Sequence, residues 1–189
     1  MTTSTRERVR DAAVELFAER GYHGVGIREL AERVGLTSAT LYHYMDTKQD
    51  LLVAIMTESL TALVEAAEAA VAEAGDDPAD QLRALVAMHV REHARKPMET
   101  SVVDGEVRAL EETHRAEVLA LRDRYEQIWK QVLARGRRTG SFTIADPTVT
   151  RMALLEMCTG VSRWYRPGGK LSLTAVTDRH VALALALVS

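Results

Sequence analysis

The sequence predicts an all-α protein, and three observations lead there. Ala, Leu, Glu and Arg recur throughout, whereas aromatic residues make up only 5% of the chain. The first group favours helix and the second favours sheet. Apolar residues fall at three- and four-residue spacing along most segments. The chain holds four prolines, and three of them stand where a helix would start or stop. About nine helices are expected, three in a small N-terminal helix-turn-helix domain over residues 1–50 and the rest in a larger domain over residues 51–189.

The first helix is expected over Ser4–Arg20, with Val9, Ala13, Leu16 and Phe17 on one face and Gly21 as its stop. Ile27–Val34 forms a second helix that buries Ile27, Leu30, Ala31 and Val34. Gly35 and Leu36 make the turn into a third, Ser38–Met45, capped by the hydroxyl of Thr37 or Ser38. Thr47, with Asp50 three residues on, opens a long fourth helix at Lys48, whose apolar face runs through Leu51, Leu52, Ile55, Met56, Leu60 and Leu63. It fades before Gly75. Asp77-Pro78 and Asp146-Pro147 each read as a cap followed by a first-turn proline, opening helices that reach Arg95 and Tyr165. Pro97–Leu110 is ambiguous because Gly105 interrupts it. A strong helix over Thr113–Arg138 aligns Val118, Leu121, Tyr125, Ile128, Trp129 and Val132. Arg166–Gly169 must be loop. The last helix starts near Ser172, and because its end, VALALALVS, is apolar all round, it is expected at a subunit interface.

Apolar residues form 47% of the 189 residues, enough for a sizeable core and too many for general disorder. The single cysteine, Cys158, rules out an intrachain disulfide and fits a reducing, cytoplasmic setting. It reads as a small buried residue. The first residues lack the apolar run of a signal peptide, and no window is long and apolar enough for a membrane span. Net charge is −3, and residues 1–50 hold seven Lys/Arg against eight Asp/Glu. Bulk charge therefore argues mildly against nucleic acid as a partner, unless the acids sit on faces turned away from it.

One stretch argues the other way. In IRELAERVGLTSATLYHYMDTKQDLL, residues 27–52, two short helical patterns meet at Gly35, and the second offers a polar, exposed run. That layout suits a helix-turn-helix, whose second helix enters the major groove of DNA. Leu41 is the core anchor. Thr37, Ser38, Ala39 and Thr40 are short enough for a close approach to base edges and thymine methyls. Tyr42 and Tyr44 can reach phosphates, His43 a base edge or a phosphate, Lys48 a phosphate beside free helix amides, and Arg28 a base or the backbone. An ordinary helical hairpin with a polar surface has the same generic pattern.

Ala12–Leu52, including LYHY, the Gly35 turn and TK..LL in order, resembles the DNA-binding domain of TetR-family transcription regulators. The chain departs at Gly26, where the family often has a Thr or Ser cap, and at Met45, where Phe is common. The resemblance implies a homodimer whose last two helices pair with their counterparts in a four-helix bundle. Val149, Met152, Val161, Val176, Leu183 and Leu187 supply an apolar face for it. Twofold symmetry implies a palindromic operator in double-stranded DNA, with half-sites about 34–36 Å apart or somewhat more. Ser162–Ser172, SRWYRPGGKLS, is similar to a segment of TetR-type repressors of fatty-acid and sterol-side-chain catabolism, which implies an acyl-CoA effector. The same residues would also serve as a plain turn beside a core tryptophan.

Candidate lining for an apolar effector is Met56, Leu60, Met88, Trp129, Met152, Met157 and Trp164. His89 and His93 have metal-compatible spacing, but no third ligand is evident, so no metal is expected. No cofactor is expected either. No phosphate loop, nucleophile elbow or dinucleotide fingerprint is present, and enzymatic activity is disfavoured. The expectation is a ligand-responsive homodimeric repressor released from its operator by an apolar small molecule. The alternatives are a helical carrier or enzyme, and a ligand-independent DNA-binding protein.

Overall fold

The structure, a computed structural model, describes residues 4–189. Ten α-helical segments and one 3-10 turn make up the described residues, with no strand among them: α1 Thr5–Arg20, α2 Ile27–Val34, α3 Ser38–Leu41, α4 Lys48–Glu73, α5 Pro78–Arg95, α6 Pro97–Gly105, the 3-10 turn Val107–Ala109, α7 Glu112–Thr139, α8 Pro147–Thr159, α9 Val161–Trp164 and α10 Leu173–Leu187. Only Gly160 separates α8 from α9, so the two form one interrupted helix and the count becomes nine. The sequence expected an unbroken helix here.

The helix starts follow local chemistry. Ser4 and Glu7 form a reciprocal capping box at α1. The Thr37 hydroxyl accepts from Thr40 N at 3.1 Å, and the Thr47 hydroxyl accepts from Asp50 N at 3.0 Å. Asp77 and Asp146 each accept from two first-turn amides ahead of a first-turn proline. Gly26 opens α2 with no side-chain cap, as its lack of a hydroxyl requires. The ambiguous segment 97–110 divides into α6 and the 3-10 turn, with the break at Glu106.

The chain forms two compact units, neither of them a single run of sequence: residues 1–60 with 98–120, and residues 61–97 with 121–189. In the first, α1 and α2 pack together around Leu16, Phe17, Leu30, Ala31 and Leu41, all buried. In the second, α5 packs mainly on α10, with α8 and α9 alongside. Its core holds Leu82, Leu85, Val86, Val90, Trp129, Leu154, Cys158 and Val161. Each such side chain is worth roughly 1.5–3 kcal/mol on burial, which is what holds helices of this length in place. Burial pushes the Cys158 thiol up to about 12, so it is not a reactive thiolate near neutral pH. No helix among the described residues is long and apolar enough to cross a membrane.

α10 differs from its expected surroundings. Its buried strip is Val176, Thr177, His180 and Ala184, while Leu183 and Leu187 stand exposed. Of the candidate interface residues, Val161 and Val176 are 0% and 1% exposed inside the protomer, whereas Val149 and Leu183 are 61% and 56% exposed. Val161 and Val176 are thus core residues. They fill the space between α5, α9 and α10 and have no surface to offer a partner.

Candidate functional site

The first unit builds a helix-turn-helix. α2 ends where Gly35 adopts the left-handed conformation (φ 73°, ψ 32°), which glycine reaches without strain. Leu36 N then donates back to Ala31 O at 2.9 Å, and the turn is closed. Arg8 on α1 adds a brace by donating to the Val34 carbonyl at 2.6 Å. α3 follows, anchored by the fully buried Leu41.

α3 is shorter than the expected Ser38–Met45. Regular helix stops at Leu41, and residues 42–44 continue as a turn. Its bonds run to the third residue back, from His43 N to Thr40 O (3.1 Å) and from Tyr44 N to Leu41 O (2.9 Å), which is 3-10 winding. Arg28, Thr37, Ala39, Tyr42 and His43 are exposed, Tyr42 to 50%. Ser38 and Thr40 are half-buried, and the Thr40 hydroxyl lies 2.8 Å from that of Thr37. Tyr44 is half-buried and lines a cleft of about 360 Å³ with Ser4, Arg6, Val9 and Met45.

Lys48 is not a free phosphate contact in this structure. Its Nζ donates to Tyr22 O at 2.9 Å and Val25 O at 2.8 Å and sits 4.2 Å from the Tyr22 ring centroid. Burial lowers its pKa. The ammonium is committed to the loop between α1 and α2, where carbonyl dipoles and a ring face hold it. Other basic side chains are committed too: Arg10 pairs with Glu58 at 3.1 Å and Glu99 at 3.0 Å, Arg33 with Glu15, and Arg20 with Glu29. Each pair takes up a base along with its acid, so the charge balance of the unit is unchanged by them. The Arg10 network, extended by a 2.5 Å bond from Ser59 to Glu99, escaped the sequence reading. Its members are up to 89 residues apart, and no local pattern joins them.

In the second unit, His89 and His93 do not make a metal site. Their rings stack at 3.8 Å, His89 Nδ1 lies 2.5 Å from the Tyr125 hydroxyl, and its Nε2 lies 2.9 Å from Thr159 Oγ1. Among the described residues no group of three ligating side chains is suitably placed for a metal ion. Burial, then the neighbouring His93, hold the His89 pKa well below its ordinary value. His89 is therefore neutral when folded and titrates near 6.5 when unfolded. Its contribution to stability is complete above pH 6.5 and declines as the pH falls below it. Between pH 7.5 and 5.5 that loss should be about 1 kcal/mol, read from urea midpoints, and His89→Gln should flatten the dependence.

The candidate lining residues scatter. Trp129, Met56 and Leu60 are buried, Met88 and Met157 half-buried, and Met152 and Trp164 exposed at the surface. Met152 therefore does not line an interior chamber. Trp164 stacks on His180 with centroids 6.1 Å apart. An open cleft of about 580 Å³ in the second unit is lined by Glu68, Val71, Arg124, Gln127, Ile128 and Gln131 among others, and includes none of the candidate lining residues. It is polar at its rim, where Arg124 grips Glu68 at 2.8 Å.

Similarity to other proteins covers both units. A family model described as bacterial regulatory proteins, tetR family, matches residues 9–55, and one described as tetracyclin repressor-like, C-terminal domain, matches residues 75–188. The HTH-type transcriptional repressor KstR2 of Rhodococcus jostii is 29% identical over 182 residues, covering 95% of this chain and 89% of that protein. The TetR-family transcriptional regulator PfmR from Thermus thermophilus is 31% identical, covers 95% of this chain and 97% of its own, and superposes with a TM-score of 0.84. AibR, solved in complex with isovaleryl coenzyme A and operator DNA, shares the fold at 24% identity, with a TM-score of 0.87 over 98% of this chain and 100% of its own.

Proposed function

Because the chain belongs to the TetR family of bacterial regulatory proteins, whose members here are transcription regulators and not enzymes, we propose that it is a homodimeric repressor of the cytoplasm. In this reading residues 1–50 bind a palindromic operator, and residues 51–189 dimerise and bind an apolar effector. The observation behind it is the reading head itself. Ala39, Tyr42 and His43 are exposed on a segment whose backbone is fixed by Leu41, the Thr37 cap and the Gly35 turn. A rigid backbone with free side chains is what base and phosphate contacts need.

The effector proposal is an acyl-CoA. The similarity of Ser162–Ser172 to acyl-CoA-responsive repressors supports it, and so does the surface there. The exposed indole of Trp164 has exposed Arg163, Arg166 and Lys170 close to it in sequence. A flat ring with cations around it suits a nucleotide with phosphates. Release would be a population shift, limited by the effector's differential affinity for two conformations. α4 runs from the first compact unit into the second between Leu60 and Thr61, which makes it the element to relay such a shift.

The test is footprinting of DNA upstream of the protein's own gene, with and without acyl-CoAs. A palindromic footprint that clears on adding acyl-CoA is expected. Tyr42→Ala should weaken operator binding by about tenfold or more with the fold unchanged by circular dichroism. Lys48→Ala should instead lower the thermal stability of the first unit, since it removes a brace rather than an exposed contact. Unaltered operator affinity in Tyr42→Ala would take α3 out of the reading role.

A further inference from the structure

The cleft of about 360 Å³ beside Tyr44 lies wholly within the first compact unit, and its volume is in the range of small-molecule sites. Its walls come from α1, from the start of α4, and from residues 44–46, which join the reading segment to α4. The interior is apolar. Val9, Met45 and Leu51 are buried there, and half-buried Ala54 brings only a methyl group. Tyr44 adds a half-buried ring.

The rim is charged, and its charges do not cancel. Glu7, Asp46, Asp50 and Glu58 stand against Arg6 and Arg10, a surplus of two negative charges. Arg10 is further drawn to Glu99 at 3.0 Å, a carboxylate outside the cleft. Three of the four rim carboxylates engage one oxygen each. Glu7 accepts from Ser4 N at 2.7 Å, Asp50 from the Thr47 hydroxyl at 2.6 Å, and Glu58 from Arg10 Nε at 3.1 Å. The backbone and side-chain hydrogen bonds of Ser4 hold the Glu7 carboxyl below its ordinary value, which keeps it ionised at neutral pH. Asp46 is exposed, with no side-chain partner among the described residues.

We infer that this cleft is a small-molecule site of the reading unit, and that it takes an organic cation with an apolar body, such as an arylalkyl ammonium ion. The body lies on Val9, Met45, Leu51 and Ala54, and the ammonium sits at the acidic rim, where the Tyr44 ring can add a cation–π contact. An anion of the same shape meets the surplus negative charge, and a neutral molecule gains only burial, so charge decides which ligand is taken. The site does not depend on an effector in the second unit. Its occupant bears on the reading segment, because Tyr44 shares one 3-10 turn with exposed Tyr42 and His43.

Phenylpropylammonium and phenylpropanol share one body and differ in charge. Added to the 15N-labelled full-length protein, the ammonium probe should shift the backbone amides of Met45, Leu51 and Ala54 to saturation. The alcohol should move the same amides and bind about tenfold more weakly. Two charge variants run in opposite directions. Asp46→Asn removes a carboxylate that has no partner, costs the fold little, and should cut the ammonium preference about threefold. Arg6→Gln removes an exposed base and should raise ammonium affinity about twofold, with the alcohol unaffected. Ala54→Met fills the cleft from α4 and should weaken both probes. Shifts confined to other parts of the chain, equal affinity for the two probes, a preference untouched by Asp46→Asn, or full binding in Ala54→Met would overturn the inference. Neither probe involves DNA or coenzyme A, so these outcomes are separate from the fate of the repressor reading.

Discussion

Leu183→Glu is expected to yield a folded protomer that no longer pairs, with operator affinity reduced by about 100-fold or more. Leu183 is 56% exposed in the protomer, so a carboxylate there remains largely solvated and costs the fold little. Val149 and Met152 of α8 and Leu187 of α10 are exposed as well, on two helices that pack on each other. A cluster of exposed large apolar residues is rare on a monomer and marks a contact surface. In a twofold interface each residue is used twice, so the substitution would bury two unpaired carboxylates at once. In the proposed homodimer, loss of pairing would remove the second reading head, and with it an effective-concentration advantage of about 10²–10⁴. Sedimentation velocity reads the assembly and circular dichroism the fold. Val176→Glu is the contrasting case: at 1% exposure it should unfold the protomer itself. A Leu183→Glu protein that still sediments as a dimer would place the interface elsewhere.

Gly136→Ala should lower stability by about 1–3 kcal/mol, although the same change inside a helix ordinarily raises it by about 1 kcal/mol. Gly136 lies near the end of α7, where a Cβ would overlap the Phe142 ring. That ring cannot step aside, because Phe142 is buried in the core of the second unit and its amide donates to Gly136 O at 3.1 Å. The following residue is pinned as well, Thr143 N donating to Val188 O at 2.8 Å. Overlap with a held aromatic ring outweighs the helix-propensity gain, which fixes the sign. Urea denaturation measures the loss. Adding Phe142→Leu should recover part of it, a coupling that a double-mutant cycle reads directly. A neutral or stabilising Gly136→Ala would show that Phe142 has room to move.

What the sequence revealed was what neighbours in sequence decide. Thr37, Thr47, Asp77 and Asp146 all cap helices as expected, because a cap needs only its own side chain and amides two or three residues on. Gly35 follows the same logic. Lys48 does not: its acceptors are the carbonyls of Tyr22 and Val25, 26 and 23 residues away, and backbone carbonyls leave no mark on a sequence. His89 is similar, with partners 36 and 70 residues distant, so only its spacing to His93 was visible and that hinted at a metal. Val161 and Val176 looked equivalent to Val149 and Leu183 because a helix apolar all round does not declare which face is inward. The surface position of Trp164 was hidden for the same reason.

The two tyrosines of the LYHY run illustrate how winding sorts identical residues. In a regular α-helix successive side chains turn by about 100°, which would set residue 44 roughly 60° away from residue 41. With 3-10 winding the step is about 120°, and side chains three apart eclipse. Tyr44, bonded through its amide to Leu41 O at 2.9 Å, is thus swung into line with the buried Leu41 and toward the cleft beside α1. Tyr42 and His43 take the other two azimuths, both open to solvent. A single tightened turn has made one tyrosine a rivet and the other a feeler, from the same side chain two positions apart.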